Sequence, residues 1–347
     1  MKNFLQEYGT AILACCMTIM MIGVASPVSE TIQVSTGEVV ASFSDKVTGE
    51  EEGGGMRALD SAFVSSGVME ENVPDTIYVG YNSLNQCLVF SHSDESEAYS
   101  ACNLKFGDVS NEQGSLSNNW HDCLGSSDFT IHKVDAVLIE NKIKPKNMCG
   151  MFSGLSRITS IEGISNIDTS QCTNMAALFS NCNNLTSVDL SRFDTSNVTD
   201  MSCMFKSCYK LENLNLASFK TSNVVDMENM FGSCCNITSL DLSMFDTSKV
   251  TSMYSMFNGC TILTSLDVSS FDTSNVTTMC DMFSECREIT NLDISNFNTT
   301  KVNSFENMFR LAKKLTTIVY GDAFVKGSTT KTSSMFYSCP ANKPSWW

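Results

Sequence analysis

The sequence has few basic residues relative to its acidic ones. Its 22 Lys and Arg stand against 38 Asp and Glu, which gives a formal net charge of −16. A chain with this charge repels nucleic acid and anionic lipid, so a basic protein surface or a divalent cation suits it better as a partner. Charged residues make up only 17% of the chain and apolar residues 42%, which excludes a disordered acidic chain and a coiled coil.

Signatures of catalysis and metal binding are also missing. The chain has no P-loop and no G-x-G-x-x-G, G-x-S-x-G or H-E-x-x-H motif. With only 3 histidines and no C-x-x-C pair, its 16 cysteines do not show zinc-site spacing. His121, Asp122 and Cys123 are adjacent, but neighbouring loop residues cannot act as nucleophile, base and orienting group without a pocket. We therefore expect no enzyme activity, no cofactor and no bound metal.

An uncharged segment lies near the N-terminus. No charge occurs from residue 8 to residue 29, and residues 10–28 are near the minimum length of a membrane-spanning helix. The segment fits an uncleaved anchor, a signal peptide cut after Ala25, or a lipoprotein signal at Cys15. In each case the rest of the chain leaves the cytoplasm, because Lys2 is the only early cation and an acidic segment follows. We expect a membrane-anchored protein with its repeats outside the cell, and secretion is the alternative.

The C-terminal part of the chain consists of repeats. The period is 26 residues and is marked by one phenylalanine per unit, at Phe193, Phe219, Phe245, Phe271 and Phe297. A further unit begins at Ile167, and a degenerate last unit contains Phe324 and Phe336. Repetition of this kind indicates a solenoid, in which each unit buries its apolar side chains against the next.

The unit that contains Cys208 shows the expected local structure. Leu214 and Leu216 alternate with polar residues, which predicts a short strand with one buried face. The residues Thr221-Ser222-Asn223 can cap a helix, and the apolar residues after them fall on one helical face, at Val224, Met227, Met230 and Phe231. Each unit is therefore predicted to be strand, turn and short helix, with the periodic methionines in the core.

Five cysteines follow the same period and so occupy equivalent positions: Cys182, Cys208, Cys234, Cys260 and Cys286. We predict that they are reduced and buried, because free cysteine packs as a small apolar residue. Four further cysteines lie outside the pattern and can form one or two disulfides, with the pairing open: Cys87, Cys102, Cys123 and Cys149.

Three periodic motifs resemble those of the BspA-like leucine-rich-repeat surface proteins of bacteria. They are of the types L-T-S-L-D-L-S, F-D-T-S-N-V-T-x-M and M-F-x-x-C, and they cover roughly residues 130–340. The resemblance implies a cell-surface protein of the adhesin or host-interaction type. It supplies no catalytic residues.

Composition divides the chain into four parts. Residues 1–47 are predicted to be a membrane anchor or signal segment with a juxtamembrane helix, and residues 48–74 a flexible linker. Residues 75–140 are predicted to form a β-rich N-terminal cap, with strand-like runs at 76–81, 87–90 and 134–139. Residues 141–347 are the predicted solenoid, an α/β repeat fold of the leucine-rich-repeat type with a degenerate C-terminal unit.

Two polar columns are predicted on the exposed face of the strands. The first contains Asp189, Asn215, Asp241, Asp267 and Asp293, and the second contains Ser187, Asn213, Ser239, Ser265 and Asn291. Parallel strands about 4.8 Å apart place like charges where they repel by about 1 kcal/mol per pair, and Asn215 relieves this at one rung. The columns predict a polar surface that contacts a ligand or cation, and a merely solvated strand face is the alternative.

These features predict an adhesin-like protein whose strand face binds an extracellular or host macromolecule. The expected class of partner is a protein. The alternative is a structural or envelope-assembly component, including a mobile-element or pilus-associated role, with the repeats as a spacer. A partner-binding function requires the polar columns, whereas a spacer requires only the stacked core.

Overall fold

Successive repeat units are joined by a continuous row of parallel backbone bridges. The computed structural model describes residues 77–82, 86–91, 104–106, 133–140 and 142–347, and all the features below lie within them. The row links equivalent residues of neighbouring coils, from Asn147 through Asn174, Asp200, Asp226, Ser252, Thr278 and Ser304 to Lys331. The described residues therefore form a repeat solenoid, in which each unit is one coil.

A small sheet precedes the coils. Its strands are β1 (Ile77–Asn82), β2 (Cys87–Ser91), β3 (Leu104–Phe106) and β4 (Ala136–Ile139), in the order β3-β1-β2-β4. β1 pairs antiparallel with β2 and β3, whereas β2 and β4 are parallel. The three strand-like runs coincide with β1, β2 and β4, while β3 was not predicted. The predicted segments 1–47 and 48–74, together with His121, Asp122 and Cys123, lie outside the described residues.

The sheet continues into the first coil. Leu138 of β4 forms a parallel bridge with Glu162, next to a 3-10 helix at Ile164–Asn166. Gly163 has φ +69°, and a Cβ at this position would collide with the carbonyl oxygen of Ile139. Glycine is needed here because the backbone approaches closely in a left-handed conformation. The Phe90 ring meets the Phe152 ring edge-on at 5.7 Å, so the sheet covers the start of the solenoid core.

The helix predicted in each unit is replaced by a run of tight turns. The described residues contain no α-helix. In one coil the N–H groups of Asn229 and Phe231 donate to carbonyls of the next coil at 2.8 and 3.0 Å. The N–H groups that alternate with these, at Met230 and Gly232, donate to carbonyls three residues earlier in the same coil, at 3.2 and 2.9 Å. We call this run, which recurs in every coil, the turn ladder.

Positive φ angles make this alternation possible. Asn229 and Ser233 have φ of 54° and 61°, and the equivalent residues of the other coils are also left-handed. Asn, Ser, Asp and Gly hold many of these positions, and Asn, Asp and Gly tolerate that conformation best. A helix of this length is marginal on its own, whereas the turn ladder hydrogen-bonds each coil to the one that follows it.

Apolar columns fill the interior. Seven contacts between consecutive phenylalanine rings have centroids 5.3–5.8 Å apart and run through Phe152, Phe179, Phe205, Phe231, Phe257, Phe283, Phe309 and Phe336. The periodic methionines are buried, which confirms their predicted place in the core. Burial of each large apolar side chain contributes about 1.5–3 kcal/mol, so stability accumulates with the number of coils.

The periodic cysteines are buried free thiols. Each Sγ donates to the carbonyl oxygen of a phenylalanine in the preceding coil at 3.0–3.2 Å. Burial raises the pKa of Cys208 and of Cys260 to about 12, and it raises the pKa of the other three thiols well above its usual value. Of the four other cysteines, Cys87 and Cys149 are half-buried, and Cys102 and Cys123 lie outside the described residues.

A column of buried threonines was predicted incorrectly as part of a helix cap. Thr221 is 1% exposed, and its Oγ1 donates to the carbonyl oxygen of Asp246 at 2.9 Å. The same Oγ1 accepts a hydrogen bond from the Asp246 N–H at 2.8 Å. The equivalent threonines are buried in the same way, at Thr169, Thr195, Thr247, Thr273 and Thr299. These hydroxyls join neighbouring coils instead of capping a helix.

The last coils carry regular strands and a covered edge. β5 (Asn291–Ile294) and β6 (Thr317–Tyr320) pair in parallel. The side chain of Asn342 closes the outer edge of β6, because its Oδ1 accepts from the Ile318 N–H at 2.7 Å and its Nδ2 donates to the Ile318 carbonyl at 2.9 Å. Trp346 stacks on Phe324 and donates to its carbonyl at 2.8 Å. No helix among the described residues could cross a membrane, and residues 10–28 are not among them.

Candidate interaction surface

The two predicted polar columns lie on the outside of the coils, although of the five segments that carry them only Asn291–Ile294 (β5) forms the predicted strand. In β5, Leu292 and Ile294 are buried, whereas Asn291 and Asp293 between them are exposed. All ten residues of the two columns are exposed. We call them together the strand-face columns.

Neighbouring members of the columns come close together. Ser187 bridges directly to Asn213 of the next coil, and Asn291 pairs with Thr317 of β6. Asp241, Asp267 and Asp293 are close enough that the charge of Asp241 acts on Asp267 and that of Asp267 on Asp293, opposing the hydrogen bonds that lower the pKa of each carboxyl group. The columns therefore form one continuous strip along the coils.

Each aspartate of the strip is held by its own backbone. Asp189 and Asp241 accept a hydrogen bond through Oδ1 from the N–H of the serine two residues later, at 3.0 Å in both cases. Asp267 and Asp293 do the same at 2.9 Å. Hydrogen bonds from these serines lower the pKa of all four carboxyl groups. The side chains are therefore charged, exposed and held in one orientation by the bond to Oδ1.

Asn215 shows that the hydrogen bond does not need a charge. Its Oδ1 accepts from the Ala217 N–H at 3.0 Å, in the same geometry as the aspartates. A local bond of this type is characteristic of Asp and Asn in turns. The aspartates thus shape the turn, and their charge is available for a partner.

A third polar column beside the strip was missed. Its threonines are exposed, and Thr186, Thr264 and Thr316 each donate through Oγ1 to the carbonyl of a residue one coil earlier at 3.3 Å. Glu212 interrupts the column. The threonine recurs with the 26-residue period in L-T-S and I-T-S, so the sequence contained the signal.

The turn ladder carries a smaller acidic cluster. Burial raises the pKa of Asp226, and the charge of the neighbouring Asp200 adds to this rise. A hydrogen bond from the Glu228 N–H opposes them only in part. Burial and the charge of Asp226 raise the pKa of Glu228. Asp200 accepts a hydrogen bond through Oδ1 from the Ser202 hydroxyl at 2.7 Å. The described residues contain no group of three or more His, Cys, Asp or Glu placed to hold a metal ion.

Comparisons with known proteins match this chain to a protein family and to solved structures. A family model described as "Mycoplasma protein of unknown function, DUF285" matches residues 146–240 and 233–346. A crystal structure of a leucine-rich repeat protein from Bacteroides ovatus ATCC 8483 is 15% identical in sequence and covers 78% of this chain and 81% of that chain, with a TM-score of 0.33. No curated protein matches. Because that TM-score is low, the fold described above rests on its own hydrogen bonds and packing.

Proposed function

We propose that this chain, which belongs to the DUF285 family of unknown function, is a surface interaction protein that binds a partner protein through its strand-face columns. The observation that carries the proposal is the strip of exposed, oriented carboxylates at Asp189, Asp241, Asp267 and Asp293. Side chains that are already ordered lose little conformational entropy when a partner binds. The negative charge of the strip favours a basic partner surface, and solenoids commonly bind through such extended repeated faces.

We further assign the chain to the BspA-like leucine-rich-repeat proteins, and propose an adhesin-like role outside the cell. The support is the set of periodic motifs and the uncharged segment at residues 10–28. A non-catalytic role is consistent with the raised thiol pKa of the core cysteines, since a protonated thiol is a poor nucleophile. Cell fractionation tests the location. Full-length protein in the membrane pellet, with repeats removed by external protease, supports it, and repeats protected inside intact cells would exclude it.

Binding by the strip is tested with two variants of equal charge. The first changes Asp189, Asp241, Asp267 and Asp293 to Asn. The second changes four aspartates that make the same turn bond elsewhere on the coil, at Asp168, Asp194, Asp246 and Asp272. Asn215 in the strip and Asn298 in the control column make the same turn bond without a charge, which indicates that both variants fold. The partner is first captured on full-length protein and then titrated against each variant.

The proposal predicts that the first variant binds about tenfold or more weakly and loses most of its salt dependence, while the second stays within about twofold. Equal binding by the two variants would refute the strip as the binding surface.

A rigid spacer is the second candidate, and the unbroken phenylalanine column favours it. The stacked rings link every coil from Phe152 to Phe336. A spacer function predicts that the strip variant is fully active in cells, whereas deletion of whole coils impairs function in proportion to the length removed.

A further inference from the structure

The last coil that the structure describes has a row of backbone N–H groups with no acceptor among the described residues. In the preceding coil, four alternate N–H groups donate to carbonyls of the last coil at 2.8–3.0 Å, from Phe305, Asn307, Phe309 and Leu311. The equivalent residues of the last coil are Thr332, Ser334, Phe336 and Ser338. Their backbone matches, since Ser334 and Ser338 have φ of 54° and 55° where Asn307 and Leu311 have 57° and 58°. None of these four N–H groups makes a hydrogen bond in the structure.

The backbone of this edge offers free donors, whereas its carbonyls already accept hydrogen bonds. The carbonyls of Thr332, Ser334 and Phe336 already accept from N–H groups three residues later in their own coil, at 3.0–3.2 Å. The carbonyls between them accept from the preceding coil. A second copy of the chain cannot pair with the same edge about a two-fold axis, because donors would face donors. What fits is a partner rich in acceptor oxygens.

The neighbouring edge of the same coil is closed. Asn342 satisfies both backbone groups of Ile318 in β6, and Trp346 packs over Phe324. The chain therefore covers the strand side of its last coil, whereas the four N–H groups on the turn-ladder side keep no hydrogen-bond partner among the described residues. An open backbone edge is a common template for binding another polypeptide.

Positive charge is concentrated at the same end. Residues 310–347 contain six Lys and Arg but one acidic residue, in a chain with a net charge of −16. Lys326, Lys331 and Lys343 are exposed and form no ion pair with any described residue. Lys343 Nζ lies 6.0 Å from the ring centroid of Phe336, which belongs to the open row. The cations and the N–H groups thus favour the same kind of ligand, an anion.

Exposed aromatic side chains lie beside the row. Tyr337 is 60% and Trp347 49% exposed, and Trp347 contacts Phe336 edge-on at 4.9 Å. Tyrosine and tryptophan are enriched where proteins bind other proteins. This favours a polypeptide over a small anion as the occupant.

We propose that the C-terminal end of the solenoid is a second interaction surface, which binds an acidic polypeptide segment. Carbonyl and carboxylate oxygens of the segment accept from Thr332, Ser334, Phe336 and Ser338, and its carboxylates pair with the exposed lysines. A short acidic segment suits this small basic area better than a nucleic acid, because a long polyanion would extend over the acidic coils and be repelled. The surface is separate from the strand-face columns and does not depend on them.

Amide hydrogen exchange on the full-length protein tests the proposal. The probe is a short synthetic peptide rich in Asp and Glu, and its control is the same peptide with Asn and Gln. The four row amides should exchange rapidly in the free protein, while the equivalent amides of Phe305, Asn307, Phe309 and Leu311 are protected. Addition of the acidic peptide should slow exchange at the row, and the uncharged peptide should not.

Charge variants provide the second arm of the test. Changing Lys326, Lys331 and Lys343 to Gln should weaken binding of the acidic peptide about tenfold. The matched variant, with exposed lysines of other coils changed at Lys210, Lys220 and Lys249, should stay within about twofold. Row amides that are protected in the free protein, equal binding of the two peptides, or preferential binding of an oligonucleotide would each overturn the proposal. An intact unfolding transition in both variants excludes misfolding as the cause of weaker binding.

Discussion

Replacing Thr221 by valine removes one hydroxyl from the buried threonine column and nearly preserves the shape of the side chain. Thr221 is 1% exposed. Among the described residues, its hydroxyl is the only hydrogen-bond partner of both the N–H and the carbonyl of Asp246, at 2.8 and 2.9 Å. The variant Thr221→Val therefore leaves two backbone groups of the next coil without a partner at a junction between coils.

The size of the effect follows from the groups left unpaired. A buried polar group that loses its partner costs about 1–3 kcal/mol. Asp246 is exposed as a residue, so water reaches part of its backbone and the lower half of that range applies to each group. We expect Thr221→Val to destabilise the solenoid by about 2–4 kcal/mol. Thr221→Ser keeps the hydroxyl and loses only a methyl group, which costs about 1 kcal/mol.

Urea unfolding of the full-length protein, followed by circular dichroism, measures both variants. Thr251→Val is the control, because Thr251 is exposed and its hydroxyl makes only a 3.3 Å bond to Val225. The unfolding midpoint should be highest for the control, lower for Thr221→Ser and lowest for Thr221→Val. If the valine variant were as stable as the serine variant, the threonine column would not join the coils in the way described.

Three further predictions concern the core and the strip. Alkylation of native protein should spare Cys208 and Cys260, whose pKa burial raises to about 12, and should label them after denaturation; a disulfide between Cys208 and Cys234 would contradict the account. Phe257→Ala should cost about 3–5 kcal/mol by opening a cavity between two stacked rings, and a midpoint close to that of the wild type in urea would show that the column is not continuous. Hydrogen bonds hold the pKa of the strip aspartates below its ordinary value of about 3.9. The contribution of these bonds to folding stability is therefore complete above about pH 3.9 and is lost as the pH falls through the lowered pKa values of the folded protein. The four-Asn variant of the strip should therefore lose less stability than the wild type below about pH 4, as measured by unfolding at a series of pH values, and parallel acid curves would refute the assignment.

Much of the solenoid could be predicted from residue spacing. A side chain that recurs with the period must occupy an equivalent place in every coil, so the buried columns of Met204 and Cys208 could be predicted without knowledge of the backbone. The alternation around Asp293 predicted which strand residues are exposed, and β5 has that alternation. These features depend only on periodicity and on the preference of apolar side chains for the interior.

The helix was predicted wrongly because the spacing of apolar residues does not specify the backbone between them. Met227, Met230 and Phe231 are buried together in a turn ladder as readily as on a helical face. The useful signal was the type of residue between them. Asn229 and Ser233 stand at left-handed positions that recur in each coil, and such residues at fixed offsets indicate tight turns. Thr221 could not be resolved from one sequence, since a hydroxyl that caps a helix and one that joins two coils look alike.

The open row at the end of the ladder could not be predicted either. Thr332 and Ser338 resemble ordinary surface residues, and their free N–H groups follow only from the direction in which every coil donates to the next. That direction is a property of the stacked backbone and is not encoded in any single motif.

A hydrogen-exchange difference map of the full-length protein, with and without its captured partner, tests the central claim most directly. The account predicts slower exchange on binding in the strand segments that carry Asp241, Asp267 and Asp293, with the turn ladder around Asn229 and Tyr254 unchanged. Protection confined to the turn ladder, with the strand segments unaffected, would contradict it and would place the binding surface on the other side of the coils.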